Sequence, residues 1–354
     1  MSDIIVIGGG IAGVSAAARL SPHAHVTLIE GEDALGYHAS GRSAALFEKN
    51  YGSPSVIALN YASEADQQPY LSPRGFMLLG RAGEEDAFEA DANTFKSPEI
   101  SVEEARAHVP ILNDTITRAA YHSGALDIDT DRMIQDFAKT VRANGGQVLT
   151  GNAVTAISFD KTWSVRCGNE TLTADLLVNA AGAWADQVAV MAEIMPVGIT
   201  PLRRSMARIP APGGHDVSRW PIFFGVGETW YAKPDAGALL VSPADEDPVD
   251  PHDAWADDMV LAEGLDRYAS HVTEPVTRVE TSWAGLRSFA PDRTLVLGQD
   301  PENVRFIWCA GQGGYGFQTA PAASQLVADL TLGRPPEVDA ATVKSLSPAR
   351  FNTR

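Results

Sequence analysis

At 354 residues, 45% of them hydrophobic and 20% charged, the chain is long enough for roughly two domains with a real core and is not a small cross-linked scaffold. A formal net charge of −18 argues against phosphate backbones and anionic membranes, so no nucleic-acid partner is expected. Cys167 and Cys309 are too few for a disulfide framework and lack the companions of a zinc or redox motif.

The chain opens with "DIIVIGGGIAGVSAAARLSPHAHVTLIEGE": an apolar run, a glycine turn, an Ala-rich stretch at helical spacing, and a second apolar run ending in Glu30. That order predicts a βαβ unit. Gly8, Gly10 and Gly13 fall in G-x-G-x-x-G spacing, where missing side chains permit a tight turn, close approach to a pyrophosphate, and packing of helix on strand. Glu30, at the end of the second strand, is placed to accept hydrogen bonds from an adenosine ribose. No basic region or cleavage site precedes the first strand and no apolar run is long enough to span a bilayer, which predicts a cytoplasmic protein without a transmembrane segment.

A small-residue loop follows, "GYHASGRSAAL" from Gly36 to Leu46, holding Arg42 and His38. Pro-rich and alternating segments such as "LRRSMARIPAP", "TWYAKPDAGALLVSP" and "PVTRVETSWAGL" predict antiparallel strands. Between them, "ADEDPVDPHDAWADD" gathers Asp245, Glu246, Asp247, Asp250, His252 and Asp253, but its prolines and irregular spacing read as a solvated loop, not a metal site. In "ETSWAGLRSFAPD", Arg287 stands among Trp283, Leu286 and Phe289, and a cation in an apolar strand is costly unless something pairs with it. Near the end, "IWCAGQGGYGFQTAPAASQLVADL" reads as a strand, a glycine-rich turn and a helix whose first amides can hold developing negative charge. A second nucleotide-contacting turn so far from the first implies a large ligand. The tail after Pro335 is polar and is expected to be half ordered.

These segments, with "LSPRGFM", "LDIDTD", "LVNAAGAW" and "WYAKPDAG", resemble the D-amino acid oxidase family of FAD-dependent oxidoreductases, most closely its bacterial D-arginine dehydrogenase branch, over nearly the whole chain. The resemblance implies an α/β plus α+β fold: a discontinuous Rossmann-type FAD-binding domain (residues 1–50, 130–195 and 295–340) with an antiparallel-sheet substrate domain (residues 51–129 and 196–294). It implies FAD contacts from Gly8, Gly10, Ile11, Ala12, Gly13 and Glu30, then Gly41, Arg42, Ser43, Ala44 and Ala45, then Val154, Ala181, Gly182 and Trp184. The glycine-rich turn adds Gly311, Gly313, Gly314, Tyr315, Gly316, Phe317, Gln318 and Thr319. FAD is expected to be noncovalent, although some relatives join a histidine near His38 to it.

The implied substrate is an amino acid, its α-carboxylate paired with Arg287 and bound also by Arg204 and Tyr231, under a lid carrying Tyr51, with the Gly314 carbonyl facing its nitrogen. Arg203 is expected to point away from that site because strand side chains alternate. The activity implied is oxidation of a D-amino acid to an imino acid that hydrolyses to a 2-oxo acid and ammonia, without a dedicated side-chain base. Oxidation of N-methyl amino acids or 2-hydroxy acids, and a non-catalytic FAD-binding protein, are the alternatives. Two departures bear on specificity: Phe76 replaces a glutamate that grips the substrate guanidinium, and Leu46 replaces a histidine. Both predict an apolar side-chain pocket in which a substrate cation finds no partner. A lysine over the flavin, which helps activate oxygen in sarcosine oxidases, is not found; Lys233 is expected in a turn. This favours a dehydrogenase whose electron acceptor the sequence does not name.

Overall fold

The computed structural model describes residues 2–351. Its first sheet has six strands in the order Val296–Gln299, Phe306–Ala310, Leu176–Asn179, Asp3–Ile7, His25–Ile29 and Gln147–Leu149. All neighbours are parallel except the first pair. Asp3–Ile7 sits in the middle, buried from Ile4 to Ile7, which is why it reads as an unbroken apolar run rather than an alternating one. The Ala-rich helix Ile11–Leu20 packs against the strands and against the helix Gly316–Leu332, whose small residues allow the same close approach. Helix Thr130–Ala143 begins with the Asp129 side chain accepting the Arg132 N–H, and it buries Met133, Ile134, Ala138 and Val141 on one stripe.

The second large sheet has nine strands. Its path runs Asp247–Pro248, Thr200–Pro210, Ala238–Ser242, Tyr231–Asp235, Ile222–Gly225, Phe76–Arg81, Ile116–His122 and Glu99–Ile100, with Thr281–Phe289 also paired to Thr200–Pro210. The expectation of a purely antiparallel sheet is corrected at one place: Ile222–Gly225 lies parallel to Phe76–Arg81. A three-stranded antiparallel sheet spans Val154–Ala174, and another joins Leu46–Phe47, Leu126–Ile128 and Leu71–Pro73.

The tail differs from its expectation. Helix Ala340–Leu346, capped by Asp339, inserts Leu346 fully into the core, and Arg350 pairs with Asp292 through two nitrogens, so burial of one leucine and a bidentate ion pair order a polar segment. No helix among the described residues is long and apolar enough to cross a membrane.

Candidate active site

A cavity of about 570 Å³ extends from the carboxyl ends of the parallel strands to the nine-stranded sheet. That is where open α/β sheets hold ligands. The glycine turn forms one end of it. Gly8 has φ 109°, and a Cβ there would lie 2.3 Å from the Ala180 carbonyl oxygen; a Cβ at Gly13 would lie 1.8 Å from the Gly8 oxygen. No side chain fits either place, so helix, turn and strand close on one another. The Glu30 carboxylate accepts the Gly9 N–H at 2.6 Å and the Glu32 N–H at 2.8 Å, which fixes it at the rim of the turn. Ser40 Oγ accepts the Ile11 N–H at 3.0 Å.

Gly8, Gly10, Ile11, Ala12, Glu30, Arg42, Ser43, Ala44, Ala45, Val154, Ala181, Gly182, Trp184, Gly313, Gly314, Gly316, Phe317 and Gln318 border the cavity. Five other residues singled out from the sequence stand behind its wall. Gly13 packs under the turn, and Gly41 donates its N–H to the Gly36 oxygen. Gly311 takes φ 73° to start the second glycine turn. Tyr315 precedes the helix between Tyr51 and Phe289, and the Thr319 hydroxyl donates back to the Tyr315 oxygen at 2.8 Å. Arg42 is engaged by the chain itself, donating to the Ala254 and Ala284 oxygens at 2.8 and 3.0 Å and pairing with Asp253. His38 stands 3.0 Å from Glu32 Oε1 and tilts against Trp184 at 4.7 Å.

At the other end, the register of two long strands sets the geometry. Leu202 lies opposite Arg287 and Arg204 opposite Gly285, so period-two alternation puts Arg204 and Arg287 on one face and Arg203 on the other. Gly285, across from Arg204, borders the cavity, and a Cβ there would touch Arg42 and Ala39 at 3.5 and 3.6 Å. Arg287 forms no ion pair among the described residues. Burial works against its charge, but the phenol oxygens of Tyr51 and Tyr231 and the Glu228 carboxylate more than compensate and hold its pKa above the ordinary value. Gly314 lies directly against it: a Cβ there would be 3.1 Å from the guanidinium carbon.

Arg204 is 8% exposed and donates Nη2 to Glu246 at 3.0 Å, while its Nε and Nη1 are buried without partners. Glu246 also accepts two bonds from Arg293, at 3.0 and 2.9 Å. Arg203, on the opposite face, is covered by Asp245 and Asp247. The acidic stretch is therefore solvated only in part: Asp247, Asp250 and Asp253 are exposed, whereas the Asp245 side chain is buried and Glu246 is half-buried. Arg203 and Arg204 draw Asp245 and Glu246 inward, and among the described residues there is no cluster fit for a metal ion.

Phe76 and Leu46 border the cavity and also belong to its apolar core, Phe76 lying 4.6 Å from Phe95, 4.3 Å from Phe224 and 5.0 Å from His122 between ring centroids. The expectation that a substrate cation would find no carboxylate there is corrected, because Glu48 and Glu228 border the same cavity. Neither stands bare. Glu48 accepts two bonds from Asn50, at 3.0 and 3.1 Å, and faces His122 Nε2 at 3.3 Å; Glu228 accepts the Tyr51 hydroxyl at 3.3 Å. Burial pushes the Tyr51 phenol far above its ordinary pKa, Arg287 pulls it down and Glu228 raises it further. Sequence reasoning missed both carboxylates. Alternation with Leu46 was the available signal for Glu48, whereas Glu228, at φ 50° after Gly227, carries none.

Residues 3–330 match the FAD dependent oxidoreductase family. The chain belongs to that family. It is 27% identical to the glycine oxidase of Pseudomonas aeruginosa, with 96% of this chain and 97% of that protein covered. The fold superposes on glycine oxidase from Geobacillus kaustophilus (TM-score 0.84, 21% identity, 99% of each chain) and on L-proline dehydrogenase from P. horikoshii (TM-score 0.84, 21% identity, 99% and 97%). These relatives correct the finer resemblance: similarity extends across amine-oxidising flavoenzymes and is not specific to D-arginine dehydrogenase.

The cavity fits FAD. The glycine cradle at Gly8, the Glu30 carboxylate at the rim and the helix beginning at Gly316 supply the contacts that a dinucleotide of this length requires.

Proposed function

We propose that this protein oxidises an α-amino acid, D-configured and with a neutral side chain, to an imino acid. The observation that carries the reading is Arg287: a half-buried guanidinium with no carboxylate of its own, on one sheet face with Arg204 and pressed against the Gly314 backbone. A planar fork of donors suits an α-carboxylate, and a substrate anion would supply the direct ion-pair partner that Arg287 lacks among the described residues. FAD, when bound, would supply the two-electron oxidant that takes the hydride.

The chain's part is positioning and exclusion of water. Arg287 and Arg204 hold the carboxylate, Tyr231 borders the same space, and the Gly314 carbonyl accepts from the substrate nitrogen. The substrate loses a hydride from Cα and a proton from nitrogen, and water hydrolyses the released imino acid to a 2-oxo acid and ammonia. No side-chain base is invoked, since the surrounding cations and burial both favour the neutral amine. Phe76, Leu46, Phe95 and Phe224 favour an apolar substrate side chain. Glu48 and Glu228 are already committed to donors of the chain.

The likeness to glycine oxidases supports a second reading, oxidation of glycine or an N-methyl amino acid by the same carboxylate clamp. Lys233, the cation nearest in sequence to Tyr231, is held by two backbone carbonyls and paired with Asp127, which supports a dehydrogenase using an acceptor other than oxygen. A panel of D- and L-amino acids, glycine, N-methyl amino acids and 2-hydroxy acids, assayed with an artificial acceptor and with oxygen, tests the proposal. Ammonia and a 2-oxo acid from neutral D-amino acids support it; formaldehyde from N-methyl substrates, or turnover of hydroxy acids alone, overturns it. Acid precipitation should release unmodified FAD, and flavin retained by the denatured chain would contradict a noncovalent site.

A further inference from the structure

Lys233 lies in the strand Tyr231–Asp235, not in a turn, and shares a face with Tyr231 two residues earlier. It is only 8% exposed. Its ammonium donates to the Ala44 oxygen and, at 3.1 Å, to the Ala45 oxygen, and it lies 2.8 Å from Asp127 Oδ1. An ammonium has three donors and no acceptor; here two go to the carbonyls, and the Asp127 carboxylate balances the charge as an ion pair. Asp127 is held in turn: its other oxygen accepts Arg74 Nε at 2.7 Å, and Arg74 donates to the Ser218 and Trp220 oxygens at 2.9 and 2.8 Å.

Both carbonyls that Lys233 grips belong to the cofactor loop. Ala44 and Ala45 border the cavity immediately before Leu46, and Ala45 sits at φ 35°, a left-handed conformation that an alanine adopts only when its surroundings enforce it. Burying a lysine costs free energy unless its charge and donors are met, and here every group that meets them lies on the loop or on the segment beside it.

We propose that Lys233 is a positioning residue: its ammonium, balanced by Asp127, fixes the Ala44–Ala45 backbone in its left-handed turn and so locks the cofactor loop to the substrate strand that carries Tyr231. The inference rests on the family cofactor and not on which amino acid is oxidised. It also assigns the buried cation a role other than oxygen chemistry, since its charge is balanced by Asp127 and two of its donors are held by the loop.

The test uses the full chain with Lys233→Met, Lys233→Arg and Asp127→Asn. In apoprotein, amide hydrogen exchange across residues 42–47 should accelerate about tenfold or more in Lys233→Met, with other segments unchanged, because a local tether has been cut. In holoenzyme, the visible flavin spectrum should shift and kcat should fall about tenfold or more while KM moves less than about threefold, the split expected when alignment rather than binding is lost. Lys233→Arg, which keeps a cationic donor, should recover part of both effects, and Asp127→Asn should loosen the same segment to a smaller degree. Wild-type exchange at 42–47 with wild-type spectrum and kcat would overturn the proposal, and so would exchange that rises evenly over the whole chain. If Lys233→Met does not fold, the other two variants decide it: unaltered local exchange and spectrum in Asp127→Asn would overturn it.

Discussion

The two ends of the cavity are built from opposite materials. The cofactor end is made by backbone and by missing side chains: Gly8 and Gly13 tolerate no Cβ, and Glu30 is the carboxylate that organises the turn. The substrate end is made by buried charge. Arg204, Arg287 and Lys233 enter the sheet from its strands, and Glu246, Glu228, Glu48 and Asp127 come in to meet them or their neighbours. The first arrangement presents amides to phosphates that any dinucleotide carries, whereas the second fixes one charge pattern and can select one substrate class.

If that contrast is right, the largest effect belongs to the glycine turn. Gly13→Leu would drive a side chain into the Gly8 carbonyl, 1.8 Å from where its Cβ would start, and it should yield protein without flavin or no soluble protein. Wild-type flavin content in that variant would break the backbone half of the comparison. Next comes Phe76→Ala, which removes a ring packed on Phe95, Phe224 and His122; it should cost about 3 to 5 kcal/mol in denaturant unfolding and blunt any preference for apolar side chains. An unchanged unfolding midpoint would mean that Phe76 is pocket lining alone.

A smaller effect is expected from pH. Burial lowers the pKa of His122, against the opposing pull of Glu48, and lowers that of His271, against its hydrogen bond to the Arg267 oxygen, and both histidines lie on the nine-stranded-sheet side. A histidine whose folded pKa lies below its unfolded value near 6.5 adds stability that is full above that pH and is lost as pH falls through the folded pKa. Resistance to thermal unfolding should therefore weaken below about pH 6.5, and the slope should flatten in His271→Gln. An equal slope in that variant would remove His271 from the acid response.

The same contrast decided what could be read from the sequence. The glycine turn is local: strand, turn, helix and acidic residue fall within the first thirty positions, and each demand of backbone geometry leaves a glycine behind. The charged end is assembled across the chain. Lys233 meets carbonyls 189 and 188 residues away, so "WYAKPDAG" alone reads as a turn. Asp245 and Glu246 read as solvated because their arginines, Arg203 and Arg204, lie on another element. Arg287 stood out because nothing near it in the chain could neutralise it, and in the fold it still has no carboxylate of its own. Tyr51, Arg204 and Tyr231 were placed by family likeness; the strand register supplies the physical reason that Arg204 and Arg287 converge.

The most direct test of the substrate half is a carboxylate titration followed by the visible spectrum of bound flavin, comparing wild type with Arg287→Met and using 4-methyl-2-oxopentanoate, the 2-oxo acid of leucine. Wild-type holoenzyme should show a saturable spectral change. The variant should keep its flavin and bind the acid more weakly by about 30- to 4,000-fold, the equivalent of losing one buried charge-assisted contact worth roughly 2 to 5 kcal/mol. Equal affinity in the two proteins would show that Arg287 does not hold the substrate carboxylate and would contradict the clamp.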